Sequence, residues 1–182
     1  MVRNEITRLD GIVREFLSSA RPPEPKLVST SARSIFNEVA RLVTPQLAEQ
    51  SIELMVDASD EQTFRADLGQ LKQVLHNLIR NASESITGEG FITLRARFDS
   101  NAVLRGQATP VVILEVEDTG AGIPADVQSR LFDPFFSTKE NGTGLGLSIS
   151  ARIIDRHGGA LGFETRMGEG TIFRVSLPAA HA

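Results

Sequence analysis

Two asparagines spaced four residues apart, Asn77 and Asn81, have the types and spacing for binding chemistry. They lie in a stretch with helical periodicity, and residues four apart on a helix project from one face. A carboxamide oxygen is a hard ligand that suits Mg²⁺, whose remaining coordination positions go to phosphates and water. Alternatively, either asparagine caps a buried backbone group. The pair, together with the segments described next, favours the metal and phosphate role.

A glycine-rich segment opens a predicted helix further along the chain. Backbone N–H groups before a helix N-terminus, together with the helix dipole, favour phosphate binding. The glycine spacing matches neither a Walker nor a Rossmann motif. Lys139, just before the segment, can reach a terminal phosphate as a mobile charge, although a solvated loop lysine is the alternative. The segment consists of Gly142, Thr143, Gly144, Leu145 and Gly146.

Asp118 follows a predicted strand and precedes Gly120 and Gly122. A carboxylate at this place can accept a hydrogen bond from the exocyclic amine of adenine, and the glycines let the backbone approach the base closely. An Asx-turn at the end of a strand is the competing interpretation, since such turns are common.

The apolar periodicity predicts the elements that position these side chains. Three helices are expected, ending near residues 49, 86 and 157, and the second is expected to be capped by Asp67. Helices and strands follow one another without regular βαβ alternation, which predicts an α+β two-layer sandwich. The expected strands cover residues 52–56, 62–66, 91–98, 111–116, 160–165 and 171–177.

Residues 2–20 predict one more amphipathic helix, which the prolines at 22, 23 and 25 end. An amphipathic helix of this length needs a partner surface. We therefore expect a truncated helical region over 1–21 and a globular domain over 22–182.

The composition excludes several classes of protein. The net charge of −4 argues against nucleic acid as the main partner, and the absence of cysteine excludes disulfides and thiolate metal sites. No apolar run approaches the ~20 residues of a membrane-spanning helix. A cytoplasmic location is expected, with a parent protein that could be anchored in the inner membrane.

Taken together, five segments resemble the N, G1, F, G2 and G3 boxes of the histidine-kinase catalytic domain, a member of the superfamily that includes gyrase B, Hsp90 and MutL. The resemblance covers about residues 26–178. The sequence FFSTKENGTGLGLSIS, which includes the loop that forms the lid over the nucleotide in this family, is most similar to nitrogen-regulation-type sensor kinases. It implies the Bergerat ATP-binding fold, a mixed sheet packed on three helices, preceded here by the remnant of a helical hairpin. The segments begin at Asn77, Asp118, Phe132, Gly142 and Gly168.

The resemblance implies ATP and Mg²⁺ as cofactors, with Asn81 as the metal contact and Thr171 adding a hydroxyl at the adenine edge. In the gyrase and Hsp90 relatives a glutamate on this helix activates water, whereas the matching residue here is Asn77, which is no general base. We therefore expect slow hydrolysis and a γ-phosphate kept for another acceptor. The implied nucleotide-binding residues are Asn77, Asn81, Asp118, Gly120, Gly122, Lys139, Gly142, Thr143, Gly144, Leu145, Gly146 and Thr171.

The phosphate-accepting histidine is not recognisable in this chain. His76, His157 and His181 lack the family's acceptor context, and residues 2–20 are similar to the end of the second hairpin helix. The chain is therefore expected to pass phosphate to a histidine on a hairpin domain of the same parent, absent from this fragment, for relay to a response regulator receiver domain. The parent is expected to be a homodimer, and the fragment is not expected to phosphorylate itself.

Two alternatives use the same fold: a regulatory module that only docks partners, and an anti-sigma-type serine kinase.

Two further predictions concern side chains near the site. Glu84 is expected to be a solvated residue. The phenyl rings of Phe132, Phe135 and Phe136 are expected to anchor the lid by packing against the domain.

Overall fold

The computed structural model describes residues 23–139 and 142–180 of the chain. The helix predicted over residues 2–20, the boundary at residues 21 and 22, and His181 lie outside the described residues. The elements in order are β1 (Val28–Ser31), α1 (Ala32–Glu49), β2 (Ile52–Asp57), β3 (Thr63–Ala66), α2 (Leu68–Ser85), β4 (Gly90–Asp99), β5 (Val103–Leu104), β6 (Gln107–Ala108), β7 (Val111–Asp118), α3 (Ala125–Gln128), α4 (Gly146–Arg156), β8 (Ala160–Arg166) and β9 (Gly170–Pro178).

A five-stranded mixed sheet in the order β2-β4-β7-β9-β8 forms one layer of the fold. Only β2 and β4 run parallel within it; the other neighbours are antiparallel. Alternate residues of β4, β7 and β9 join the inner sides of α1, α2 and α4 in one apolar core, as the two-residue and 3.6-residue periods require. The predicted α+β two-layer sandwich is confirmed.

Caps fix where the first two long helices begin. The Ser31 hydroxyl accepts from the Ser34 N–H at 3.2 Å, and the Asp67 carboxylate accepts from the Gln70 N–H at 3.0 Å. Asp67 is the cap that the sequence predicts for α2. These bonds satisfy orphan N–H groups of the first turn.

The β5–β6 hairpin and the single turn α3 are absent from the prediction. The hairpin buries Leu104 against Val111 and Ile113. The Arg105 guanidinium donates to the Asp155 carbonyl oxygen at 2.5 Å and to its carboxylate at 2.6 Å, close to the end of α4. Such short elements depend on tertiary contacts that local periodicity does not report.

The outer face of the sheet carries alternating charges across four strands. Register places Glu115 of β7 opposite both Arg95 of β4 and Arg174 of β9. The Glu115 side chain is 5% exposed, and its Oε1 accepts from Arg174 Nε at 2.8 Å and from Arg97 Nε at 3.2 Å. Arg174 also pairs with Glu164 of β8, and this hydrogen bond holds the pKa of Glu164 below its ordinary range. Opposite charges directly across strands stabilise a sheet.

Replacement of Glu115 by Gln tests the importance of this charge cluster. We expect Glu115→Gln to lower the free energy of unfolding by about 1–3 kcal/mol, because two guanidinium groups lose a nearly buried charged acceptor. Urea denaturation monitored by circular dichroism measures the change. The matched control is Glu117→Gln on the same strand and face, whose carboxylate is 37% exposed and pairs with Arg95 at 3.1 Å. The control is expected to lose less than about 1 kcal/mol, and equal losses would contradict the prediction.

Candidate nucleotide site

Helix α2 connects the two ends of the candidate site. Asn77, Asn81 and Ser85 are spaced four apart on it, so they share one face. At 1.5 Å per residue, Asn77 and Ser85 are separated by about 12 Å along the helix axis. Ser85 contacts Asp118 at one end, and Asn77 lies against the start of α4 at the other. The helix therefore holds a base-side cluster and a phosphate-side cluster at a fixed separation.

Asp118 is a buried carboxylate at the end of β7. Its Oδ1 accepts from the Gly120 N–H at 2.8 Å and from the Ser85 hydroxyl at 3.1 Å. Burial raises the pKa of Asp118, while the bonds from Gly120 and Ser85 oppose that shift. A carboxylate has about four lone-pair positions, so it retains acceptor capacity for a ligand's amine. This geometry suits recognition of an exocyclic amine.

Gly120 and Gly122 occupy places where a side chain does not fit. A Cβ on Gly120 would overlap the Ser85 hydroxyl oxygen, and a Cβ on Gly122 would overlap the Arg166 carbonyl oxygen. Gly122 also has a φ of +76°, which strains any other residue. The loop after β7 is therefore pressed between the end of α2 and the turn after β8.

Thr171 lies directly opposite Asp118 in the pairing of β7 and β9. Its hydroxyl is 3.0 Å from the Thr165 hydroxyl, which also accepts from the Ile123 N–H at 2.9 Å. Thr165 thus joins the loop after β7 to the strand that carries Thr171.

Sequence reasoning missed Ser85 and Thr165. The signal for Ser85 was its place one turn after Asn81 on the same helix face. Thr165 becomes visible only once the register opposite Thr171 is known.

The N-terminus of α4 lacks the side-chain cap that α1 and α2 have. Among the described residues, no side chain bonds to the first N–H groups of α4, and Leu145 occupies the N-cap position. Leu145 is 1% exposed, so its side chain anchors the start of the helix in the core. The free N–H groups and the helix dipole suit an anion such as phosphate.

Asn77 packs against this helix start. Its Nδ2 donates to the Ser150 hydroxyl at 3.1 Å, and its Oδ1 accepts from Arg80 at 3.4 Å. A Cβ on Gly146 would overlap the Asn77 carboxamide. A cavity of about 120 Å³ lies here, lined by Gln73, His76, Asn77, Arg80, Gly146, Ile149 and Ser150.

Asn81 lies one turn after Asn77 on α2, and its side chain contacts Lys139. The Lys139 ammonium lies 3.4 Å from the Asn81 Oδ1 and forms an ion pair with Glu84. The predicted solvent exposure of Glu84 is confirmed, since its side chain is 42% exposed, but the sequence did not reveal its ion pairs: its carboxylate also lies 3.7 Å from the Arg80 Nε. Its place three residues after Asn81 brings it to the face that Lys139 approaches.

The glycine-rich segment turns back on the phenylalanine segment before it. The Gly144 carbonyl accepts from the Phe135 N–H at 3.0 Å, and Gly144 has a φ of +68°. The Gly142 N–H donates to the Lys139 carbonyl at 3.1 Å, and the Thr143 hydroxyl accepts from the Leu145 N–H at 3.4 Å. These bonds fold the segment between Lys139 and the start of α4 into a compact turn.

The phenylalanines of this segment, Phe132, Phe135 and Phe136, differ in their packing and exposure. The Phe132 ring packs on Phe163 with centroids 5.9 Å apart, and the Arg130 guanidinium lies 4.3 Å from the centre of the Phe136 ring. Phe135 is 60% exposed, so the packing prediction is wrong for this residue. Its φ of +65° directs the N–H to Gly144, a turn geometry that the sequence pattern did not reveal.

The described residues contain neither a membrane-spanning helix nor a metal-binding cluster of acidic, histidine and cysteine side chains. In the part of the chain that the structure describes, no helix has the length and apolar character to cross a membrane. Within the same residues, no three His, Cys, Asp or Glu side chains group as metal ligands.

The fold and the site together define an ATP-binding domain of the kind found in sensor histidine kinases. Residues 66–181 match the family described as "Histidine kinase-, DNA gyrase B-, and HSP90-like ATPase", and the chain belongs to that family. The predicted family is confirmed.

The relatives with similar sequences are sensor kinases. The chain is 37% identical to the sensor kinase CckA of Brucella abortus (strain 2308) over 97% of its own length and 20% of that protein. It is 48% identical to the sensory histidine kinase/phosphatase NtrB of Rhodobacter capsulatus over 63% of its length and 33% of that protein. The chain thus spans about a fifth to a third of these relatives.

The similar solved structures are also histidine kinases. The nucleotide-free catalytic domain of ThkA matches with a TM-score of 0.72 and 30% identity, covering 84% of this chain and 95% of that one. Full-length ShkA in complex with AMPPNP matches with a TM-score of 0.80 and 32% identity, covering 96% of this chain and 36% of that one.

Asp118→Asn separates the role of this carboxylate in binding from its effect on stability. The raised pKa means that the folded state resists ionisation, so stability falls as pH rises above about 3.8 through the folded pKa. The asparagine variant is therefore expected to be more stable than the wild type at neutral pH, with the difference vanishing at acid pH. Urea titrations across pH measure it.

The same variant is expected to lower the affinity for adenine nucleotides roughly tenfold or more. The reason is that a carboxamide can turn its N–H donor towards the amine of the base, which is itself a donor. Ser85→Ala, which removes a partner of Asp118 but keeps its charge, is the companion variant. Stability that rises without loss of affinity would contradict a role of Asp118 in base recognition.

Gly146→Ala tests the contact between α2 and α4. The added Cβ would displace the Asn77 carboxamide, so we expect nucleotide affinity to fall roughly tenfold and unfolding free energy to fall by about 1–3 kcal/mol. The matched control is Gly162→Ala on β8, where a Cβ meets nothing within 4 Å. Calorimetric titration and thermal melting compare the two. Equal behaviour of the two variants would contradict the role of this contact.

Proposed function

We propose that this chain binds Mg-ATP and donates its γ-phosphate to a histidine on the hairpin domain of its parent protein, for relay to the receiver domain of a response regulator. The observation that carries the proposal is the span of α2, from the buried Asp118 at the base end to the uncapped start of α4 at the phosphate end. The proposed parent is a homodimeric cytoplasmic kinase or one anchored in the inner membrane.

The proposed base contacts lie at the Ser85 end of α2. The Asp118 carboxylate accepts the adenine amine, held in place by Ser85 and the Gly120 N–H. Thr171 places its hydroxyl at the same edge, and Gly122 keeps the backbone close to the base. An analogue that lacks the amine leaves the remaining acceptor capacity of this buried carboxylate unused, which is how such a site rejects wrong bases.

The proposed phosphate contacts lie at the Asn77 end. The N–H groups at the start of α4 and the backbone of residues 142–145 face the phosphates, and Lys139 supplies a mobile positive charge. Gly146 allows close approach because it has no side chain. Phosphoryl transfer depends mainly on such positioning and charge neutralisation.

The residues near Asn81 fit a magnesium ion. The Asn81 carboxamide oxygen already faces a cationic group, the Lys139 ammonium, so it points into space that a positive charge can occupy. It is a hard oxygen donor of the kind that Mg²⁺ prefers beside phosphate oxygens and water. A bound Mg²⁺ would neutralise phosphate charge during transfer.

Asn77 favours transfer over hydrolysis. Its Nδ2 donates to Ser150 and its Oδ1 accepts from Arg80, so the carboxamide is a fixed structural link. A neutral carboxamide does not take a proton from water near neutral pH. The terminal phosphate is therefore retained for a better nucleophile.

The two described histidines support an acceptor outside this part of the chain. Both ring nitrogens of the buried His157 are engaged, Nε2 by the Asp67 N–H at 3.0 Å and Nδ1 by the Ile153 carbonyl at 2.8 Å. His76 is exposed on α2 itself, beside Asn77. A residue on the same rigid helix as the phosphate contacts is poorly placed for in-line attack. The similar structure of ThkA in complex with the response regulator TrrA supports the proposed relay.

Labelled ATP tests the proposal directly. The chain with Mg²⁺ and γ-labelled ATP is expected to bind nucleotide, to release phosphate slowly and to retain no stable label. Adding the hairpin domain of the parent should give an acid-labile, alkali-stable label on that domain. Asn81→Ala should abolish the transfer by losing the metal contact. Phosphohistidine on this chain, or no binding at millimolar Mg-ATP, would contradict the proposal.

A further inference from the structure

Glu84 lies on the face of α2 that carries the metal candidate, at a position the proposed function does not use. Its carboxylate contacts two cations at once, the Lys139 ammonium and, at 3.7 Å, the Arg80 Nε. Residues 77, 80, 81 and 84 follow the three- and four-residue steps of one helix face. Glu84 is therefore connected to both asparagines through positively charged side chains.

Lys139 is shared between Glu84 and Asn81. Its ammonium pairs with the Glu84 carboxylate and lies 3.4 Å from the Asn81 Oδ1, the oxygen proposed for the metal. Two cations repel strongly at the separation that a shared ligand imposes. A divalent ion at Asn81 therefore requires the ammonium to leave that oxygen.

We propose that Glu84 is a positioning residue that holds Lys139 beside Asn81 and competes with the phosphates of the nucleotide for this lysine. The inference rests on the proposed function. On binding, the ammonium exchanges the carboxylate for a phosphate oxygen and frees the Asn81 oxygen for the metal. Glu84 thereby lowers the affinity for Mg-nucleotide and determines the position of the Lys139 side chain in the nucleotide-free state.

The exposure of the pair sets the size of the effect. The Lys139 and Glu84 side chains are 41% and 42% exposed, so solvent screens their attraction. Exposed ion pairs of this kind change equilibria by roughly one- to fivefold. The competition is expected to tune affinity rather than to switch binding off.

The test is a double-mutant cycle with Mg-AMPPNP titrated by calorimetry at low salt. Glu84→Gln keeps the helix-forming tendency and removes the charge, and it is expected to tighten binding roughly two- to fivefold. Lys139→Gln is expected to weaken binding. In the Lys139→Gln background the second change, Glu84→Gln, is expected to alter the dissociation constant by less than about 1.5-fold, because the competition needs the lysine.

A matched ion pair serves as the control. Glu38 on α1 pairs with Lys72 on α2 at 2.8 Å, with side chains 43% and 35% exposed. Lys72 is about 18 Å from Glu84 along the helix axis, well away from the proposed site. Glu38→Gln changes the net charge by the same amount and is expected to leave nucleotide affinity unchanged.

The outcomes separate this inference from the proposed function. Wild-type chain that fails to bind Mg-AMPPNP overturns both. Wild-type binding with unchanged or weaker affinity in Glu84→Gln overturns the competition alone. An equal gain in both Lys139 backgrounds also overturns it, because that gain reflects simple repulsion between carboxylate and phosphate. A gain that disappears with Lys139 supports the inference.

Discussion

The four-residue repeat of polar side chains on α2 is the constraint on which the site depends. Asn77, Asn81 and Ser85 each contact a different segment: the start of α4, Lys139 and the loop after β7. The adjoining face of the same helix buries Leu71, Leu75 and Leu78 in the core. Because the helix is fixed by that core, the base end and the phosphate end cannot move independently. The packing of the core thus determines how accurately the site residues are positioned.

The site also contains features that oppose folding stability. Asp118 is an acidic group whose pKa is raised by burial, Phe135 has a positive φ, and Gly120, Gly122 and Gly144 are fixed by close contacts rather than by good local propensity. The sheet supplies the compensation through its apolar inner face and the arginine–glutamate cluster around Glu115. Functional sites commonly concentrate such local conflicts while the surrounding scaffold remains consistent.

Most of the fold and the candidate residues could be predicted from the sequence, for physical reasons that differ by element. The helical period identified α1, α2 and α4, and the ends of strands identified the place of Asp118. Partners that depend on register or side-chain direction could not be found in this way. Thr165 lies opposite Thr171 only because of how β8 and β9 pair, and Glu84 reaches Lys139 only because of how the loop returns to α2. The roles of the site residues in binding stay predictions.

The uncapped start of α4 leaves part of the hydrogen-bonding capacity of this helix unused in the chain without ligand. The first N–H groups of this helix lack a described side-chain partner, so we expect them to exchange their hydrogens with water more readily than the capped N–H groups of α1 and α2. An anion bound at this place completes the helix as a cap from outside the chain. Part of the folding free energy of α4 is thus released only when the ligand arrives, and local amide protection becomes a direct measure of occupancy.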